Sequence, residues 1–133
     1  MSEENVAKVR ASLDAWNRGD VDGWLAAAHP EVEWVSQVVQ SVEGSEMVYR
    51  GHAELRRFWD EWHRLWDVTI DVTETFDRGD AVVALANLRA RGEASGVDLE
   101  RPIAYVVEFE DGLAQRARAY FDQQEALRKV GLP

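Results

Sequence analysis

The 133-residue sequence contains no cysteine. That removes disulfides, thiol nucleophiles and zinc–thiolate sites together. Proline is scarce, at three residues, so most of the chain is free to form regular helices and strands. Positive charge is also short: 15 Lys and Arg stand against 25 Asp and Glu, a formal net charge of −10. Such a surface repels a nucleic-acid duplex or an anionic membrane, and neither is an expected partner. No apolar run is long enough to span a bilayer. The acidic start Met1-Ser2-Glu3-Glu4 lacks the features of a signal peptide, so a cytoplasmic protein is expected. His29, His52 and His63 show no metal-ligand spacing; no metal and no cofactor is predicted.

What is present suits one domain over residues 1–133. The hydrophobic content of 46% is ordinary for a globular chain. Six tryptophans are not ordinary: Trp16, Trp24, Trp34, Trp59, Trp62 and Trp66. They serve either a core or an aromatic-lined cavity.

Residues 66–122 organise the rest. Apolar residues alternate with polar ones along four runs: 66–76, 81–91, 97–110 and 113–121. The connections Asp77-Arg78-Gly79-Asp80, Glu93-Ala94-Ser95-Gly96 and Glu110-Asp111-Gly112 have hairpin-turn chemistry. Connections this short make an antiparallel meander. Trp66, Val68, Ile70, Val72 and Phe76 share one face of the first run. In the last, Leu113, Gln115, Ala117, Ala119 and Phe121 oppose Ala114, Arg116, Arg118 and Tyr120.

Upstream, helical spacing predicts a helix over 2–18, with Val6, Val9, Leu13 and Trp16 on its stripe and Lys8, Arg10 and Asp14 outside it. A short helix over 21–28 ends at Pro30. A strand covers 32–35 and extends to 39, and 40–49 reads as a loop. Residues 51–65 form a strongly amphipathic helix carrying Leu55, Phe58, Trp59, Trp62 and Leu65. Residues 122–130 give a helical turn or two. Three N-terminal helices on a curved antiparallel sheet make an α+β architecture with a conical space between the layers.

At this point the chain resembles the nuclear transport factor 2-like (NTF2-like) superfamily, and within it the SnoaL-like proteins. The marks are Asn17-Arg18-Gly19-Asp20, His29-Pro30-Glu31-Val32-Glu33-Trp34, Tyr49-Arg50-Gly51-His52, Arg78-Gly79-Asp80, Arg91-Gly92 with Ser95-Gly96-Val97, Glu110-Asp111-Gly112 and Tyr120-Phe121-Asp122. The resemblance implies a cone-shaped fold with a pocket on the helix-covered face and a homodimer through the exposed sheet face. It does not imply one reaction, since isomerases, hydrolases, cyclases and binders share the fold. In a gapless register, the isomerases' carboxylate base falls at Trp34, their Asp donor at Tyr105 and their Tyr donor at Ser12. The last-strand Asp of the epoxide hydrolases falls at Ala119. The carboxylates of the known branches are therefore missing.

The implied pocket consists of Ser12, Trp16, Trp34, Trp59, Trp62, His63, Ile103, Tyr105, Ala117 and Ala119, and suits a small hydrophobic molecule. Arg89, Arg116, Arg118 and Tyr120 are assigned to the dimer interface. Two alternatives stand beside the binding reading. One is a divergent isomerase, cyclase or hydratase using Tyr105, His63 or an acid from 40–49. The other is an interaction domain whose cone is filled by Trp16, Trp34, Trp59 and Trp62.

Overall fold

The structure is a computed structural model and describes residues 2–36, 47–92, 94 and 96–132. Helix α1 spans Ser2–Arg18 and α2 spans Val21–Leu25. Strands β1 (Ala28–Ser36) and β2 (Met47–Arg50) precede α3 (Gly51–Leu65). Strands β3 (Trp66–Asp77), β4 (Ala81–Gly92), β5 (Asp98–Glu110) and β6 (Leu113–Tyr120) follow, and α4 (Gln123–Lys129) ends the chain. The strands form one curved, unclosed sheet in the order β2-β1-β6-β5-β4-β3.

The meander from β3 to β6 is antiparallel, whereas β1 lies parallel to β6. The expected all-antiparallel sheet is corrected in that one pair. The second helix stops at Leu25 rather than 28, because the chain there is already joining the sheet. The Ala114 amide donates to the Ala27 carbonyl at 2.7 Å. Pro30, which has no amide to donate, sits where the β1–β6 register is interrupted between Ala28 and Glu33. Residues 47–49, expected in a loop, belong to β2, whose Tyr49 pairs with Trp34. The expected extension of the first strand over 37–39 and the loop over 40–46 lie outside the described residues.

Two bulges overturn two face assignments. The β3–β4 register shifts between Val72 and Glu74, so Phe76 packs on the opposite face from Val68, Ile70 and Val72. The β5–β6 register shifts between Glu108 and Phe109, which turns Ala114 onto the face of Ala117 and Ala119. One inserted residue reverses every side chain beyond it.

The larger core lies between one sheet face and α1, α2 and α3. Gly19, at φ 76°, turns the chain out of α1. The Asp20 carboxylate then caps α2 by accepting from the Gly23 amide at 3.0 Å. The C-terminal end of α1 also closes an open sheet edge. Asn17 donates to the Ile70 carbonyl and accepts from the Ile70 amide, both at 2.8 Å, while Trp16 Nε1 donates to the Val68 carbonyl at 3.1 Å. Edge groups of β3 are thereby paired as a further strand would pair them. A smaller core on the other face gathers Val83, Leu85, Ala104, Val106 and Tyr120 under Ala126 and Leu127 of α4. No described helix is long and apolar enough to cross a membrane.

Candidate functional site

Three alanines of β6, Ala114, Ala117 and Ala119, line one face of the sheet where β5 presents Ile103, Tyr105, Val107 and Phe109. Small side chains leave room that the helices do not fill. The result is a cavity of about 120 Å³ (Lys8, Val9, Ser12, Leu13 and Trp16 from α1; Trp24 and Leu25 from α2; Leu55, Phe58 and Trp62 from α3; Val32 and Trp34 from β1). Val68, Ile70 and Leu88 complete its far side.

The cavity brings together Ser12, Trp16, Trp34, Trp62, Ile103, Tyr105, Ala117 and Ala119 from the sequence-derived set. Trp59 and His63 stand outside that lining. The imidazole stacks on Trp59 at 4.1 Å and lies 4.5 Å from Trp16, with Nδ1 2.9 Å from the Trp59 carbonyl. A carbonyl oxygen only accepts, so Nδ1 carries the proton. Trp16, Trp24 and Trp59 pack edge-on and tilted at centroid distances of 4.8–5.3 Å. This indole cluster forms the roof behind the cavity.

Sequence reasoning placed Lys8 outside the α1 stripe, yet it lines the cavity. The available signal was its helical spacing: Lys8, Ser12 and Trp16 follow one another at four-residue intervals on one face. Ala114 was missed because the bulge is invisible in the alternation.

Polar groups on the wall are few. Ser12 donates its hydroxyl to the Trp24 carbonyl at 2.9 Å. Lys8 Nζ donates to the Gly112 carbonyl at 2.6 Å. Trp34 stacks on Tyr105 with ring centroids 6.0 Å apart, and its buried indole N–H has no partner among the described residues. Burial pushes the Tyr105 hydroxyl far above the ordinary tyrosine range, so it stays a neutral hydrogen-bonding group. Among the described residues, no Asp or Glu lines the cavity. The acids of 40–46 lie outside the described residues.

The arginines assigned to an interface occupy the opposite side. Arg89 pairs with Asp71 at 3.3 Å, and Arg116 pairs with Glu33 at 3.8 Å and Glu108 at 3.7 Å. Arg118 hydrogen-bonds Tyr120, which is itself buried beneath α4 of its own chain. Among the described residues, no group of three His, Asp or Glu side chains is arranged to hold a metal ion.

Known proteins resemble this arrangement closely in shape and modestly in sequence. An NTF2-like protein of unknown function from Burkholderia pseudomallei K96243 superposes with a TM-score of 0.81 at 27% identity, covering 96% of this chain and 98% of that one. TerC, co-crystallised with polyporic acid, gives 0.79 at 23% identity over 96% and 98% of the two chains. A hypothetical protein of ketosteroid isomerase-like fold from Catenulispora acidiphila DSM 44928, in complex with trimethylamine, gives 0.76 at 15% identity over 95% and 93%. No functionally curated protein matches the sequence significantly. The SnoaL-like domain profile matches residues 9–117, and with the NTF2-like architecture already described, this chain belongs to the SnoaL-like family.

Proposed function

We propose that the protein binds one small, largely apolar molecule in the space between the sheet and α1–α3. The cavity carries this reading: its wall is indole, phenyl and alanine, with no carboxylate among the described residues. Its volume, about 120 Å³, is close to that of engineered apolar cavities of about 150 Å³ that take up benzene. It is well below the roughly 300–1,000 Å³ of pockets that enclose drug-sized ligands. The size therefore favours an occupant of about one ring. TerC and the Catenulispora protein were each crystallised with a small molecule, which supports the fold's capacity for such ligands. The divergent-enzyme reading has a neutral donor in Tyr105, but among the described residues the cavity wall offers no carboxylate base beside it. Tryptophan emission and thermal unfolding test the proposal with a neutral series: benzene, indole, naphthalene and a steroid. Saturable quenching by the one-ring members, with stabilisation approaching ~2.7 kcal/mol at a hundredfold excess over Kd, is expected. Silence from every member refutes it.

We further infer that two copies pair through the outer sheet face. There Arg89 and Arg116 pair with Asp71, Glu33 and Glu108, giving a surface of mixed sign, the kind of rim two identical copies can share. Light scattering after size exclusion is expected to give twice the 15.1 kDa chain mass, and Arg116→Glu to weaken the association. A monomeric wild type at tens of micromolar refutes this.

A further inference from the structure

The cavity wall reverses the electrostatics of the chain. Acids outnumber bases 25 to 15 overall, yet among the described residues the one charged side chain on the wall is the cation Lys8. Lys8 is one of only two lysines in the sequence. Its side chain is half-buried, contributes to the cavity lining and carries its ammonium to the Gly112 carbonyl.

Half of this protein's other cations are ion-paired among the described residues. Seven arginines have a carboxylate within 4.0 Å. Lys8 has none among the described residues. Its ammonium carries three N–H donors, and one of them is spent on the Gly112 carbonyl. That bond fixes the ammonium against the turn between β5 and β6. Gly112 has φ 78°, a conformation that suits glycine, and a Cβ there would lie 3.2 Å from Lys8 Nζ. The turn therefore supplies the carbonyl that holds the cation without a side chain to crowd it.

Resting on the ligand-binding reading above, we infer that the occupant carries one acidic group, a carboxylate or an acidic enol, which pairs with the Lys8 ammonium while its apolar body enters the cavity. The orientation follows from desolvation. An anion buried among Phe58, Trp34 and the alanines has no compensating charge. At Lys8 it meets a fixed cation and stays partly hydrated, and a charge-assisted hydrogen bond forms.

The test compares phenylacetate with phenylacetamide at pH 7, two molecules of nearly equal shape that differ in charge. Titration calorimetry and tryptophan emission are read for the wild type, Lys8→Met and Lys8→Arg, each checked for folding by circular dichroism. The wild type is expected to bind the acid about tenfold more tightly than the amide. Lys8→Met brings that ratio close to one, and Lys8→Arg retains most of it. Equal or tighter binding of the amide by the wild type overturns the inference. So does a preference for the acid that survives in Lys8→Met. The wild-type ratio stands as a test by itself if Lys8→Met does not fold. Binding of benzene or indole without either phenyl derivative overturns this inference alone, whereas silence from all four overturns the cavity reading and this inference with it.

Discussion

Trp16 and Trp34 offer a controlled comparison, because the same substitution meets two opposite hydrogen-bond states. Both indoles line the cavity, and they are exposed to 7% and 8%. Replacing either with Phe removes the same atoms from a similar environment. The packing loss, about 1–2 kcal/mol, is nearly common to both. What differs is the N–H. That of Trp16 donates to the Val68 carbonyl at 3.1 Å, so Trp16→Phe loses a net ~1 kcal/mol and leaves a carbonyl unpaired at a cost of about 1 kcal/mol more. The N–H of Trp34 has no partner among the described residues. In Trp34→Phe a desolvation penalty of about 1 kcal/mol or more disappears with the group. Trp16→Phe is therefore expected to cost about 3 kcal/mol and Trp34→Phe about 1 kcal/mol or less. Urea unfolding followed by far-ultraviolet circular dichroism measures both, with equal m-values confirming that only stability has changed. Two costs within about 0.5 kcal/mol of each other, or a larger cost for Trp34→Phe, refute the assignment of a made bond to one indole and an orphan to the other.

Further outcomes follow from the same geometry. Ala117→Leu adds three apolar carbons to the cavity wall; at about 0.8 kcal/mol per buried CH₂, less about 0.5–1 kcal/mol of side-chain entropy, it is expected to stabilise the unliganded protein by about 1–2 kcal/mol and to abolish the ligand-induced rise in Tm. Destabilisation by about 1–3 kcal/mol, the mark of overpacking, refutes the void. Tyr105 is neutral when folded because burial raises its pKa, while the unfolded chain ionises near pH 10. The folded state then holds the extra proton, so its stability is complete below pH 10 and falls by about 1.4 kcal/mol per pH unit above it. Tyr105→Phe should flatten that alkaline slope in equilibrium unfolding, and an unchanged slope excludes Tyr105 as its source. Asn17→Ala strips the edge of β3 of two hydrogen bonds. Because Asn17 is itself exposed and water can enter, the expected cost is about 1–2 kcal/mol, read as a lower Tm; an unaltered Tm refutes the edge pairing.

The meander was legible because alternation and hairpin chemistry are both local. Val82, Ala84, Ala86, Leu88 and Ala90 face the large core, and Val83 and Leu85 the small one, as their order along β4 implies. Legibility stopped at the bulges. An inserted residue leaves no compositional mark at Thr73 or Gln115, yet it sends Phe76 outward and Ala114 inward. The parallel β1–β6 pair was hidden for another reason: its partners lie more than 80 residues apart, and no turn sequence announces such a contact. β2, four residues long, is too short for period-2 alternation to stand out from a loop. Lys8 falls outside the apolar stripe of α1, but a lysine stem covers apolar surface while its head stays wet. The same pattern describes a solvated face and a cavity rim.

The cavity was written in the sequence as an absence of volume. β6 supplies alanine at 114, 117 and 119, and these sit beside Ile103, Tyr105, Val107 and Phe109 of the neighbouring strand. Small residues in a strand do not by themselves make a void, since a helix above can settle into the space. Here the roof is propped. Trp16 is held to the Val68 carbonyl, Trp24 and Trp59 pack on Trp16, and His63 locks behind Trp59. Lowering α1 or α3 onto the alanines would compress that cluster and break the Trp16 and Asn17 bonds to the edge of β3. We infer that the abundance of tryptophan does not fill the cone. It holds the helices off the sheet, and the alanines of β6 set where the remaining space lies.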